Sequence, residues 1–204
     1  MQWENIELPW RLTLELAWDS FKNNSLPIAA LIVDTEGKVI SIGRNQIFEK
    51  TFKNRKIAHA EMLALMDLHY DDHPEIRKYT MYATTEPCPM CMGSIVMSDL
   101  RKLRIAMADP WAGAVNMCQL PYIASKKMDI SFVGGAVEKL ITVMAAYKEL
   151  ELSKETLNPV AERLKQHKPH EFSIGEGLFS KGILRNYAEN DSNFQKAFDI
   201  IMHA

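Results

Sequence analysis

The chain has 204 residues, a length that fits one domain with an appendage or two very small domains. Hydrophobic residues make up 47% and charged residues 25%, an ordinary globular composition that excludes a disordered chain and a collagen-like repeat. The formal net charge of -2 does not favour a basic domain that coats nucleic acid.

The first predicted elements are a helix, a hairpin and a second helix. Residues 8–24 have apolar side chains near helical spacing, with Pro9 in the first turn. The apolar run 26–33 and the alternating run 38–43 flank a Glu-Gly turn and predict a β-hairpin. Residues 59–70 are rich in helix formers and predict the second helix.

Strands then alternate with helices along the chain. The predicted elements are a strand over 79–85, a helix over 88–100, strands over 103–107 and 129–133, and a helix over 137–151. This order predicts an α/β fold, with a sheet covered by helices on both faces.

The composition changes near residue 151. Residues 1–150 form the domain that is predicted to carry the catalytic chemistry, and residues 151–204 form a predicted C-terminal helical extension. The extension begins with a polar, proline-containing stretch and ends in a predicted helix that carries Phe194, Phe198 and Ile201.

The three cysteines are too few for a disulfide framework, and two of them form a C-x-x-C pair. This use of cysteine is typical of metal or redox chemistry in a reducing compartment. The N-terminal residues have no apolar core of the signal-peptide kind, and no apolar stretch approaches the ~20 residues of a membrane span. We therefore expect a cytoplasmic protein with no membrane partner.

Two short motifs carry the predicted chemistry. Cys88 and Cys91 are three residues apart at a predicted helix start, where thiol pKa values fall and thiolates bind metal. His59 opens another predicted helix and supplies a neutral nitrogen. Two sulfurs and one nitrogen suit Zn²⁺, and three protein ligands leave the fourth position open, as in catalytic zinc sites.

Glu61, two residues after His59, is a poor fourth ligand because neighbours two apart diverge on a helix. It is instead the candidate catalytic residue, which would move protons between water and a substrate. Two other interpretations stay open: a structural zinc with Cys118 as fourth ligand, and a core histidine beside two inert cysteines.

His59-Ala60-Glu61 followed by Pro87-Cys88-Pro89-Met90-Cys91 resembles the H-x-E and P-C-x-x-C signature of the cytidine deaminase-like superfamily of zinc deaminases. The stretch 84–94 is similar to the branch that holds guanine deaminases and tRNA adenosine deaminases. The resemblance covers roughly residues 8–150. It implies a three-layer α/β/α fold with a five-stranded mixed sheet, one zinc per subunit and a homodimer.

The resemblance also implies substrate contacts. Asn45 and Asp109 match family positions at or near the substrate, although each residue type also suits a simple turn. Backbone amides near Ala60 and Cys88 are candidate hydrogen-bond donors to the bound species.

Three segments depart from the usual family pattern and leave the substrate open. They are residues 27–31, where Ala29 replaces a glycine, the basic stretch 55–58 before His59, and residues 120–125. The basic cluster formed by Lys50, Lys53, Arg55 and Lys56 is either a solvated loop or a phosphate contact at the mouth of the site.

The sequence thus predicts a zinc-dependent hydrolase that deaminates a purine base or nucleoside, guanine or guanosine first. A tRNA-specific adenosine deaminase is the alternative, favoured by the basic cluster and opposed by the near-neutral charge. A cytosine or cytidine deaminase is third. A catalytically silent zinc-binding relative is the non-enzyme alternative. Glu61 disfavours it, because a silent relative would not need this carboxylate.

Overall fold

A five-stranded sheet lies at the centre of the computed structural model, which describes residues 2–190 and 194–204. The strands are β1 (Ala29–Val33), β2 (Val39–Arg44), β3 (Thr80–Thr85), β4 (Lys102–Met107) and β5 (Asp129–Phe132). Their spatial order is β2-β1-β3-β4-β5. β1 runs antiparallel to β2 and β3, whereas β3, β4 and β5 are mutually parallel, so the predicted mixed sheet is confirmed.

Helices cover both faces of the sheet, as the α/β pattern predicts. They are α1 (Leu8–Lys22), α2 (Ala60–Met66), α3 (Pro89–Met97), α4 (Pro121–Ala124), α5 (Gly135–Leu152), α6 (Pro159–His167), α7 (Pro169–Ser180), α8 (Ile183–Asn190) and α9 (Phe194–His203). Helices α1 and α5 pack on one face, and α2 and α3 pack on the other.

The C-terminal helices share a hydrophobic core with α1 and α5. Trp18 and Phe21 of α1, Tyr147 of α5, Phe172 of α7 and Phe198 of α9 are all almost fully buried in one cluster. Each such aromatic side chain removes a large apolar area from water, so these helices are bound firmly to the sheet domain.

Three helices end earlier than the sequence predicts, and α1 does so by only two residues, at Lys22. α2 ends at Met66 rather than near residue 70, and a 3-10 turn at Tyr70–Asp72 follows it. The intervening chain is rich in Asp and His, which form turns more readily than helix interiors. α3 ends at Met97 because Asp99 adopts a left-handed conformation (φ 66°) that terminates the helix.

Across residues 2–190 and 194–204, none of the helices is both long enough and apolar enough to cross a membrane.

Candidate active site

His59 and Glu61 lie where α2 begins, tightly against β2. A Cβ atom at Gly43 of β2 would lie 2.1 Å from the carbonyl oxygen of Ala60, so only glycine allows this close approach. His59 is the N-cap residue of α2 and Glu61 lies in its first turn, where it is buried. The sheet therefore fixes the position of both side chains.

Cys88 and Cys91 lie where α3 begins, just after β3 ends. Cys88 is the N-cap residue rather than a first-turn residue, and Pro89 occupies the first helical position, as expected. Cys91 is buried one turn further on, while Cys88 is half-buried. The two helix starts thus bring one histidine and two cysteines together.

The three side chains have the spacing of a tetrahedral zinc site. Nδ1 of His59 lies 3.6 Å from Sγ of Cys88 and 3.5 Å from Sγ of Cys91. Zinc–sulfur and zinc–nitrogen bonds of the usual length at a tetrahedral angle require a separation of about 3.6 Å. The donor set and its geometry therefore fit Zn²⁺, in line with the zinc dependence that the resemblance implies.

The two sulfurs are electrostatically coupled. The hydrogen bond from the Cys91 thiol, assisted by His59, lowers the pKa of Cys88 to about 4 despite its partial burial. The same hydrogen bond and burial raise the pKa of Cys91. Two sulfurs that share one proton offer a thiolate to a metal ion directly, and metal binding then releases the shared proton.

Cys118 lies outside this group. Among the described residues, His59, Cys88 and Cys91 form the only group of three or more His, Cys, Asp or Glu residues whose ligand atoms all lie within 4.8 Å of one another. Cys118 is half-buried in the 3-10 turn Val115–Gln119. The geometry therefore favours three protein ligands with an open fourth position over a zinc closed by Cys118.

Glu61 is buried beside the candidate metal ligands. Burial raises the pKa of its carboxyl group, while a backbone hydrogen bond and His59 oppose that rise. A carboxyl group whose pKa moves toward neutrality can both take and give a proton at working pH.

A cavity of about 220 Å³ opens onto His59, Glu61 and Cys88. Most of its wall is apolar, and four carboxylates line it: Glu61, Glu86, Asp109 and Glu149. Among the described residues on its wall there is no lysine or arginine. A small, mostly apolar cavity with a few polar groups beside a reactive centre is typical of a small-molecule site.

Asn45 and Asp109 both line this cavity. Oδ1 of Asn45 accepts the Ile47 N–H at 3.2 Å, which leaves Nδ2 as the group that can donate to a ligand. Oδ1 of Asp109 accepts the N–H groups of Trp111 and Ala112, both at 2.9 Å. Asp109 therefore holds a turn as well as facing the cavity.

Ala60 is placed differently from these side chains. It is fully buried, and its carbonyl oxygen faces β2 at Gly43. Its N–H group belongs to the first turn of α2, where backbone donors have no partner within the helix.

Glu86 is a residue of the site to which the sequence reasoning gave no role. Its Oε1 accepts the Val115 N–H at 3.0 Å, and its Oε2 accepts the Asp109 N–H at 3.2 Å. It thereby fixes the loop that carries Asp109 and Trp111 along the cavity. The signal was its place between a strand and the P-C-x-x-C motif.

Helix α5 and the extension also contribute to the wall. The apolar residues of the extension had suggested that it either covers the site or serves a dimer, but they did not indicate which residues line the cavity. Ala145 and Glu149 of α5 and Val160 and Leu164 of α6 line the cavity. The available signal was an acidic residue, Glu149, on an otherwise apolar face of the predicted helix, one turn after Ala145.

The basic cluster lies outside the cavity. Lys50, Lys53, Arg55 and Lys56 are all exposed on the segment that leads into His59. The neighbouring acid, Glu49, forms a bidentate ion pair with Arg44. The cluster is therefore free to meet an anion only from the solvent side.

Comparisons with known proteins agree with this geometry. A tRNA-specific adenosine deaminase from Rickettsia bellii is 36% identical over 118 residues, which are 57% of this chain and 79% of that protein. A solved structure from a study of A-to-I editing by tRNA:A34 deaminases is 25% identical, with a TM-score of 0.54 over 65% of this chain and 95% of the other.

A guanine deaminase from Nitrosomonas europaea shares the fold, with 19% identity and a TM-score of 0.51 over 70% of this chain and 85% of the other. Residues 4–181, most of the chain, match the family described as MafB19-like deaminase. The match includes the sheet, the zinc-site motifs and the helices that wall the cavity. The chain therefore belongs to the MafB19-like deaminase family and has the cytidine deaminase-like fold.

Proposed function

We propose that the chain is a zinc-dependent hydrolase that deaminates a free purine base or nucleoside, with guanine or guanosine as the leading substrates. The observation that carries the proposal is the cavity beside His59, Cys88, Cys91 and Glu61, whose wall is apolar and acidic. The thiols of Cys88 and Cys91 must stay reduced to bind zinc, and a reducing compartment such as the cytoplasm keeps them so.

The chemistry follows from the residues present. Zinc held by His59, Cys88 and Cys91 would supply a Lewis acid that lowers the pKa of water from ~15.7 to about 7. Glu61 accepts a proton as the water oxygen adds to the amino-bearing ring carbon. It delivers that proton to the ring nitrogen. It then takes the second proton from the added hydroxyl and delivers it to the amine, so that the carbonyl forms, the carbon–nitrogen bond breaks and ammonia leaves.

Charge and size favour a free base or nucleoside. Four carboxylates line the cavity, so a phosphate group inside it would be repelled rather than bound. The volume of about 220 Å³ is below the range of ~300–1,000 Å³ that holds drug-sized ligands. One heterocycle fits this description better than a nucleotide. Trp111, which is exposed at the cavity wall, offers a face on which a base can stack.

A substrate panel tests the proposal. Ammonia release would be measured for zinc-loaded protein with guanine, guanosine, adenine, adenosine, cytosine, cytidine, the monophosphates and bulk tRNA. We expect turnover of a free purine and weaker turnover of its monophosphate. Turnover of the pyrimidines alone, or of the monophosphate in preference to the nucleoside, would contradict the proposal.

A tRNA-specific adenosine deaminase is the second candidate. The exposed cluster of Lys50, Lys53, Arg55 and Lys56 favours it, because these cations lie next to the site without entering the cavity. An RNA loop could place its phosphates there while one adenine enters the cavity. In that case tRNA alone would release ammonia, and replacing the four cations with alanine would weaken tRNA turnover and its salt dependence together.

We also propose that the protein is a homodimer. Met66 of α2 and Met97 of α3 are 70% and 69% exposed, and Leu120 just before α4 and Tyr122 within α4 are more than half exposed. The Tyr122 hydroxyl donates to Sδ of Met97 at 3.5 Å, so these two exposed side chains are in contact. The family resemblance implies a dimer, and we propose that burial of these exposed apolar side chains against a second copy forms it.

A further inference from the structure

Glu149 is a buried acid on the cavity wall that the proposed chemistry does not use. It lies near the end of α5, is 9% exposed, and faces the cavity one turn after Ala145. A carboxylate in such a place loses most of its hydration and needs hydrogen-bond donors instead.

The C-terminal extension holds this carboxylate in place. Nδ2 of Asn158 donates to Oε2 of Glu149 at 2.8 Å, and Oδ1 of Asn158 accepts the Ala161 N–H at 2.9 Å as the N-cap of α6. Ser153 joins the same network through the Glu149 carbonyl and the Asn158 N–H. Glu149 is therefore fixed between two helices and cannot swing away from the cavity.

One neutral donor does not satisfy a carboxylate, which has about four lone-pair positions. Burial and the charge of Asp109 raise the pKa of Glu149, while Asn158 and Lys148 oppose that rise. A ligand N–H directed at Oε1 would supply a missing donor. No lysine or arginine among the described residues of the wall competes for this role.

We propose that Glu149 is a specificity-determining residue that accepts a hydrogen bond from a ring N–H of the substrate and so selects guanine-type over adenosine-type rings. The inference rests on the proposed function. Guanosine has a ring N–H next to its amino-bearing carbon, whereas adenosine and cytidine have no ring N–H. Their only base donors are on the amine that leaves, which belongs beside Glu61.

The test compares guanosine with 2-aminopurine riboside, which has the same amine at the same carbon but neither the ring N–H nor the adjacent carbonyl oxygen. The Glu149 variants below separate the two differences, because Glu149 can accept only from the N–H. Sites built around a substrate N–H strongly reject analogues that lack it. We expect the wild-type protein to prefer guanosine by at least about 100-fold in kcat/KM. Glu149→Gln keeps an acceptor for Asn158 but turns an amide donor to the cavity, and it should reduce this preference to less than about 10-fold.

Three further samples make the result decisive. Glu155→Gln removes an exposed carboxylate from the same segment and should keep the preference. Glu149→Met, which also removes the acceptor, should behave like Glu149→Gln, and thermal unfolding confirms that both variants are folded. In the Glu61→Gln background, calorimetry should show that Glu149→Gln weakens guanosine binding without weakening 2-aminopurine riboside binding.

The outcomes separate this inference from the proposed function. If the wild-type protein deaminates free purines and Glu149→Gln lowers both substrates equally, Glu149 is only structural and the inference is wrong. The same holds if guanosine is not preferred at the start. If only adenosine in tRNA is deaminated, the proposed function fails and the inference fails with it.

Discussion

Cys91 is the most buried of the three candidate zinc ligands, and it shares a proton with Cys88. Cys91→Ser would remove one of the two sulfurs and replace it with a hydroxyl that ligates zinc poorly. We expect the bound zinc to fall well below one ion per chain after dialysis, as measured by elemental analysis. Cys118→Ser is the matched control, because Cys118 lies outside the ligand group, and it should keep its zinc.

If Cys118→Ser lost zinc as completely as Cys91→Ser, Cys118 would be a fourth ligand. The zinc site would then be closed and structural, which would contradict a catalytic site with an open position.

Asn158 supports Glu149 and caps α6 with different atoms of one side chain. Asn158→Asp keeps the cap, because Asp is as good an N-cap residue as Asn. It removes the Nδ2 donor, however, and places a second negative charge beside Glu149. Both effects raise the pKa of Glu149, which burial and the charge of Asp109 already raise.

If guanosine turnover needs ionised Glu149, the acid limb of its pH–rate profile should move to higher pH in Asn158→Asp. Steady-state kinetics across the pH range would measure this shift. An unchanged acid limb, with α6 still folded, would show that the charge of Glu149 has no part in turnover.

Single residues differed in how far the sequence predicted them. The zinc motifs could be read directly, because metal chemistry needs a fixed set of atom types at a fixed spacing near helix starts. The roles of Glu149 and Glu86 could not be predicted in this way. The role of Glu149 depends on which turn of α5 faces the cavity. The role of Glu86 depends on which loop packs against the end of β3. Those contacts are set by tertiary packing, which hydrophobic periodicity does not encode.

The packing of α7 on α5 links the extension to the cavity at the scale of elements. A Cβ atom at Gly175 would lie 2.8 Å from the Ala146 Cβ and 3.2 Å from the Val143 carbonyl oxygen, so this contact tolerates no larger side chain. A Cβ atom at Gly177, two residues later on α7, would have no neighbouring atom within 4 Å.

Gly175→Ala should therefore overpack the contact and lower the free energy of unfolding by ~1–3 kcal/mol. Gly177→Ala should raise it by up to about 1 kcal/mol, because alanine favours a helix interior over glycine. Urea denaturation of both variants would measure these values. Equal effects of the two substitutions would mean that α7 does not pack closely on α5.

Most elements of the sheet domain were predictable, because alternating strands and amphipathic helices carry a strong periodic signal. The boundaries of α2 and α3 were less so, since a cap or a single left-handed residue decides where a helix ends. The division at residues 150 and 151 stays a prediction. The shared aromatic core shows only that the extension packs on α1 and α5.

At the scale of the whole molecule, the exposed apolar side chains of Met66, Met97, Leu120 and Tyr122 should join two copies. Met97→Glu would place a charge in the proposed interface, next to Tyr122, at a high desolvation cost. We expect light scattering to show a dimer for the wild-type protein and a monomer for this variant.

Leu8→Glu is the control for the dimer. Leu8 is also exposed, but it lies at the start of α1, on the opposite face of the sheet, where a negative charge suits a helix N-terminus. It should stay dimeric. A wild-type monomer, or loss of the dimer in both variants, would contradict the proposed interface.

The central claim is that this chain uses zinc and Glu61 to hydrolyse an amino group from a free purine, and ammonia release from guanosine tests it most directly. The measurement would compare wild-type protein with Glu61→Gln and with Glu36→Gln, an exposed carboxylate in the hairpin turn, and would determine bound zinc in each sample. We predict one ammonia per product purine, equal zinc in all three samples, and a rate lowered by about 10²–10⁴-fold or more in Glu61→Gln alone. Zinc-loaded wild-type protein that leaves guanosine intact while deaminating tRNA, or a Glu61→Gln variant as active as the wild-type protein, would contradict it.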